Sequence, residues 1–236
     1  MWRKIFNKKD KKSNPNTDPL VESLRRQLSK STPEERMKVG GREIYNFLLK
    51  PATEPGSPKL PIQVMLYTLG LMTGCACQEA ARKESSNQIM TVRLDNGKIF
   101  YTGPLILQKI FEEKYSPWAF IGGGMDQIGR RKAFESFDIV DAVRHSVDTM
   151  GSSEFGKVRV PRSQRPDVIP DETIRDLWRK YREHIEQIIP SRLEWPGCYG
   201  EAIQLVIIDS KGVTEPEIAL SILAESMLTS SKMPLK

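Results

Sequence analysis

Between Ile62 and Cys77 the chain runs for sixteen residues without a charged side chain, and only Gln63, Tyr67, Thr68 and Thr73 relieve its apolar character. A membrane span needs about 20 such residues. The segment falls short of that and reads as a helix buried in a soluble core, opened by Pro61. Any fold for this chain has to cover it. Gly70 and Gly74 are four apart, share one helical face and leave room for another helix to approach closely.

The flanking sequence supplies helices. Asp18-Pro19 places a cap before a first-turn proline and leads into Leu20, Val21, Leu24 and Leu28. Thr32-Pro33-Glu34-Glu35 is a capping box. Its helix carries Ile44, Phe47 and Leu48 beyond a weak point at Gly40-Gly41. Residues 51–59, rich in proline, read as a linker, so residues 17–50 are expected to form an N-terminal helical extension ahead of a main domain over 60–231.

After the apolar segment the period changes from helical to alternating. Met90, Val92 and Leu94 precede Asn96-Gly97, and Ile99 and Tyr101 follow, which signals a β-hairpin near residues 89–102. A two-residue turn would pair Asp95 with Lys98, Leu94 with Ile99 and Val92 with Tyr101. That register sets Met90, Val92, Leu94, Ile99 and Tyr101 on one face.

Helical periodicity then resumes. Gly103-Pro104 starts a helix through Ile106, Ile110 and Phe111, and Ser116-Pro117 starts one through Trp118, Phe120 and Ile121. The next, from about Phe137 to Met150, aligns Val140, Val143, Val147 and Met150 on one face. Residues 151–170 lack periodicity. A long helix follows with a stripe of Ile174, Leu177, Trp178, Tyr181, Ile185 and Ile188. The helix near Tyr199 to Ile208 is apolar nearly all round at its C-terminal end and is expected to be central. Thr214 and Glu217 repeat the capping box ahead of a last helix carrying Ile218, Ile222, Leu223 and Met227. The fold class is mainly α: about eight helices with one β-hairpin.

Charge is unevenly spread. The chain has 36 Lys and Arg against 30 Asp and Glu. Arg3, Lys4, Lys8, Lys9, Lys11 and Lys12 face only Asp10 in the first twelve residues, so the remainder is close to neutral. Residues 1–16 read as a flexible basic arm, and a near-neutral body argues against nucleic acid as a partner. Trp2, Ile5 and Phe6 share a helical face, interleaved with Arg3, Lys4, Lys8 and Lys9; that pattern suits an anionic membrane surface or a protein partner. Three cysteines, Cys75, Cys77 and Cys198, form no disulfide framework and point to a reducing compartment. With no apolar run of signal-peptide length, the expected location is cytoplasmic, with the inner face of a membrane in reach of the arm.

Chemistry-bearing patterns are sparse. Lys157, Arg159, Arg162 and Arg165 crowd one irregular segment, and Gly122-Gly123-Gly124 would offer backbone amides if it formed a turn. Arginine forks with free amides bind phosphate or carboxylate. The plainer alternatives are arginines paired with acids of neighbouring helices and glycines that let helices pack closely. His145 lies between Asp141 and Asp148 on one helix face, with no second motif to make it a metal site. No nucleophile, base and orienting group can be assembled from spacing, so no catalytic residue, metal or cofactor is assigned. The expected function is that of a non-enzymatic adaptor or accessory subunit, held at an anionic membrane surface or a protein partner by Trp2, Arg3, Lys4, Ile5, Phe6, Lys8 and Lys9. The alternative is an enzyme or ligand-binding protein acting on a small anionic ligand through Arg159, Arg162 and Arg165.

Overall fold

A computed structural model describes residues 19–53, 60–169 and 171–235. Helices α1 (Pro19–Leu28), α2 (Pro33–Thr53) and α3 (Ile62–Ser85) precede the antiparallel strands β1 (Met90–Arg93) and β2 (Ile99–Thr102). Then come α4 (Pro104–Phe111), α5 (Pro117–Gln127), α6 (Arg131–Glu135) and α7 (Ile139–Asp148). After an irregular stretch, α8 (Asp171–Ile188), α9 (Trp195–Asp209) and α10 (Pro216–Ser230) complete the chain. The mainly α architecture with a single hairpin is the one the periodicities predict.

The apolar segment is α3, and every residue from Leu66 to Ala81 is buried. Its partner at the centre is α10. A Cβ on Gly70 would lie 1.9 Å from Ser226 Oγ, and one on Gly74 would lie 2.1 Å from the Met227 carbonyl oxygen. The glycine face of α3 therefore meets a serine face of α10, backbone close to backbone. Every residue from Ile222 to Met233 is buried, so α10 is a central helix beside α9, whose residues from Trp195 to Gly200, with Ala202, Ile203, Val206 and Ile207, are buried as expected. The hydroxyls of Ser226, Thr229 and Ser230 each donate to a carbonyl four residues earlier, so they enter the core already satisfied. Among the described residues no helix is long and apolar enough to cross a membrane.

Helix α2 runs unbroken through Gly40-Gly41. A Cβ on Gly40 would come 2.7 Å from Cys198 Sγ and one on Gly41 2.5 Å from Glu201 Cβ, so the pair marks where α2 crosses α9. Ile44 and Leu48 sit in the same hydrophobic cluster as α3, α9 and α10. The expected extension is thus packed into the main core, and α2 carries on through Pro51 to Thr53, inside the expected linker. The first capping box forms as read: the Glu35 amide donates to Thr32 Oγ1 at 3.3 Å and the Thr32 amide to Glu35 Oε2 at 2.8 Å.

Three local expectations need correction. In the hairpin, Arg93 pairs with Ile99, Val92 with Phe100 and Thr91 with Tyr101. Asp95, Asn96 and Gly97 make a three-residue loop, with the Gly97 amide donating to the Leu94 carbonyl and Gly97 at φ +80°. A type I turn followed by a left-handed glycine accounts for the one-residue slip. Phe100 is therefore the buried strand residue, and Tyr101 shares its face with Thr91 rather than Val92. On α7 the expected stripe is split: Val140 is 67% and Val147 43% exposed, while Val143 packs on the core and Ala142 and Ser146 are buried. Polar anchoring to α10 and its tail, described below, sets that rotation. The second capping box is absent. Pro216 occupies the first turn of α10, Glu215 takes the cap position without a side-chain bond, and Thr214 Oγ1 is buried with no partner.

Candidate anion-binding site

The last turns of α3 carry Glu79, Arg82 and Lys83 out of the core. Basic side chains are favoured there by the carbonyl end of the helix dipole. Helix α8 brings Arg182 and Glu186, one turn apart, and the turn Arg192–Glu194 brings Arg192. All of these but Glu186 line a cavity of about 410 Å³ whose other wall is Tyr101, Pro234 and Leu235.

Two arginines and two carboxylates interlock. Arg192 donates through Nη1 to Glu79 Oε2 and through Nη2 to Glu186 Oε1, both at 3.1 Å. Arg182 lies 3.6 Å from Glu79 and 3.8 Å from Glu186. Formal charge cancels within this ring of four. Arg82 stands outside it. Its guanidinium carbon lies 4.1 Å from the Tyr101 ring centroid, and its Nε is buried without a hydrogen-bond partner. Neither Arg82 nor Lys83 is ion-paired among the described residues. A second hollow of about 580 Å³ continues along α8 past Arg182 and Leu235, lined by Arg175, Asp176, Arg179 and Glu183, whose signs alternate.

The apolar wall is held from below. Gln78 Nε2 donates to the carbonyls of Ser231 at 2.7 Å and Met233 at 3.0 Å, and the Tyr101 amide donates to the Lys232 carbonyl at 2.8 Å. Lys232 Nζ donates to Ser146 Oγ at 2.9 Å and to the Leu228 carbonyl at 3.0 Å. The tail after α10 is thus tied to α3, β2 and α7, which positions Pro234 and Leu235.

The residues singled out from sequence have other surroundings. Trp2, Arg3, Lys4, Ile5, Phe6, Lys8 and Lys9 lie outside the described residues. Arg159 donates through Nε to the buried Glu225 at 2.7 Å and through Nη1 to Asp141 at 2.6 Å, so it is an internal counter-ion. Arg165 donates to the Val160 carbonyl at 3.2 Å, and Arg162 is exposed in the turn Arg162–Gln164. The three do not share one partner. Gly122, Gly123 and Gly124 lie inside α5 against Phe134, Gln204 and Ile207, so their amides serve the helix and the close-packing alternative describes them. Asp141 faces Arg159 and is not free to make a row with His145. Among the described residues no group of three His, Cys, Asp or Glu could hold a metal ion. Cys75, Cys77 and Cys198 are fully buried, and burial pushes each thiol well above its ordinary value, which keeps it protonated and unreactive.

Sequence reading passed over Arg82, Arg182 and Arg192. Arg82-Lys83 at the end of the apolar helix was visible as a dipole-favoured pair, but nothing local ties it to side chains about a hundred residues on. Comparison with protein-family models, with characterised proteins and with solved structures gives no match.

Proposed function

We propose that the protein binds a small anionic organic molecule in the cavity between α3, β2, α8 and the C-terminal tail. Arg82 carries this reading. A guanidinium that stacks on an aromatic ring, makes no ion pair among the described residues and opens on a cavity offers several directed donors to an oxyanion. The volume falls in the range of small-molecule sites, and Tyr101, Pro234 and Leu235 supply an apolar wall opposite the cations. Thermal-shift measurement with a panel of small carboxylates and phosphates is the test. At least one should raise the melting temperature of the wild-type chain and leave that of Arg82→Met unmoved. A flat response across the panel sinks the proposal.

The adaptor reading is kept as a second proposal because of α7, which presents Val140 and Val147 to solvent two turns apart with the exposed Arg144 between them. A partner helix of apolar and acidic character would suit this face. Affinity capture with a Val140→Glu, Val147→Glu variant should lose a protein that the wild type retains; identical captures remove the reading. Membrane attachment through the basic arm is tested by co-sedimenting anionic vesicles with the full chain and with a chain lacking residues 1–12.

A further inference from the structure

We infer that the cavity takes a phosphate monoester in its dianionic form, carried on an apolar body. The inference rests on the anion-binding reading above and adds the class of ligand.

The charge count sets the valence of the head. Glu79 and Glu186 cancel Arg182 and Arg192, which leaves Arg82 and Lys83 as two positive charges at the cavity. A monoanion answers one of them, whereas a dianion answers both, Arg82 beside the apolar wall and Lys83 at the exposed rim. Geometry then decides how the two charges are arranged. The cations come from α3, α8 and the turn at Arg192, while Tyr101, Pro234 and Leu235 make up the remaining wall. A dicarboxylate spreads its charges over several bonds and would press its second carboxylate on that apolar wall. A phosphate monoester holds both charges on one atom's oxygens and leaves its ester group to the apolar side.

The donors suit such a head. Arg192 spends one N–H of Nη1 and one of Nη2 on the two glutamates, which fix the plane of its guanidinium and leave further N–H groups for a ligand. Arg82 has its Nε covered and its plane set by Tyr101, so its terminal nitrogens are what it offers. Three phosphate oxygens can accept from Arg82, Arg192 and Lys83 together.

Isothermal titration calorimetry at about pH 8, above the second phosphate pKa of about 6, compares phenyl phosphate with phenyl sulfate and succinate. Phenyl sulfate has the same shape with one charge less. Phenyl phosphate should bind at least about ten-fold more tightly than either, and Arg82→Gln should abolish the preference. Lys83→Ala, at the exposed rim, should reduce it with no change in fold. Equal affinity for phosphate and sulfate, or tighter binding of succinate, overturns the inference while leaving anion binding intact. If none of the three binds the wild-type chain, the anion-binding reading itself fails. Vesicles containing phosphatidate then separate the two sources of the same headgroup. Binding that falls in Arg82→Gln and is displaced by phenyl phosphate identifies a lipid. Vesicle binding unaffected by both identifies a soluble ester, and either result keeps the phosphate monoester.

Discussion

Lys232 is 3% exposed, and among the described residues its Nζ meets a hydroxyl and a carbonyl. Burial pulls its ammonium down to about 8, below the value of about 10.4 that an unfolded chain would show. Between those values the unfolded state holds the extra proton, so Lys232 by itself makes stability rise with pH from about 8 towards 10. Burial also pushes up the thiols of Cys75, Cys77 and Cys198 and the phenols of Tyr67, Tyr181 and Tyr199, so the unfolded thiols ionise first above about pH 8.5 and the unfolded phenols above about pH 10, and together they outweigh the lysine and make net stability fall. Urea denaturation across this range should show that fall, and Lys232→Met should steepen it and add about 2 kcal/mol at neutral pH. A flat profile in the wild type would refute the account. Arg159 gives a second residue-scale expectation. It compensates Glu225, whose side chain is 5% exposed. Arg159→Met should cost about 3 kcal/mol by leaving that carboxylate unpaired, whereas Arg162→Met, at an exposed turn, should stay within about 0.5 kcal/mol. Equal effects at the two positions would mean that the ion pair is not what Arg159 is for.

The contact of α3 with α10 depends on the absence of two side chains. A methyl group on Gly74 would meet the Met227 carbonyl, which is backbone and cannot swing away, so the helices would have to separate. Gly74→Ala should cost about 3 kcal/mol. Gly97→Ala has open space around it and loses only the left-handed preference of its turn, about 1 kcal/mol. Thermal melts of the two variants decide this, and a Gly74→Ala protein as stable as Gly97→Ala would show that the helices can part freely. The hairpin carries another lesson at this scale. Asn96-Gly97 announces a reversal in either loop length, so the turn was legible while the register was not. The three-residue loop is what turns Tyr101 towards Arg82, and the candidate site depends on that one-residue difference.

One core serves the described chain, with α2 inside it through Ile44 and Leu48. Leu48→Ala should therefore cost about 3 kcal/mol and shift a single unfolding transition, seen alike by near-ultraviolet circular dichroism of Trp178 and Trp195 and by amide exchange in α10. A separate early transition confined to α1 and α2 would contradict a shared core. The amino-acid order by itself determined what acts within a turn or two of chain. The helix starts at Pro33 and Pro117 form, the Thr32–Glu35 box closes, and the glycine pair in the apolar helix lies against another helix. Each depends on groups a few residues apart, whose geometry the backbone dictates. Tertiary structure decided what acts through space. It buried α10 despite its serines, turned Val140 and Val147 of α7 outward, and spent Arg159 on an acid 66 positions away. It also brought Arg192 to Glu79 across 113 residues. Burial and charge compensation depend on which surfaces meet, and distant groups become neighbours only when the whole chain has packed.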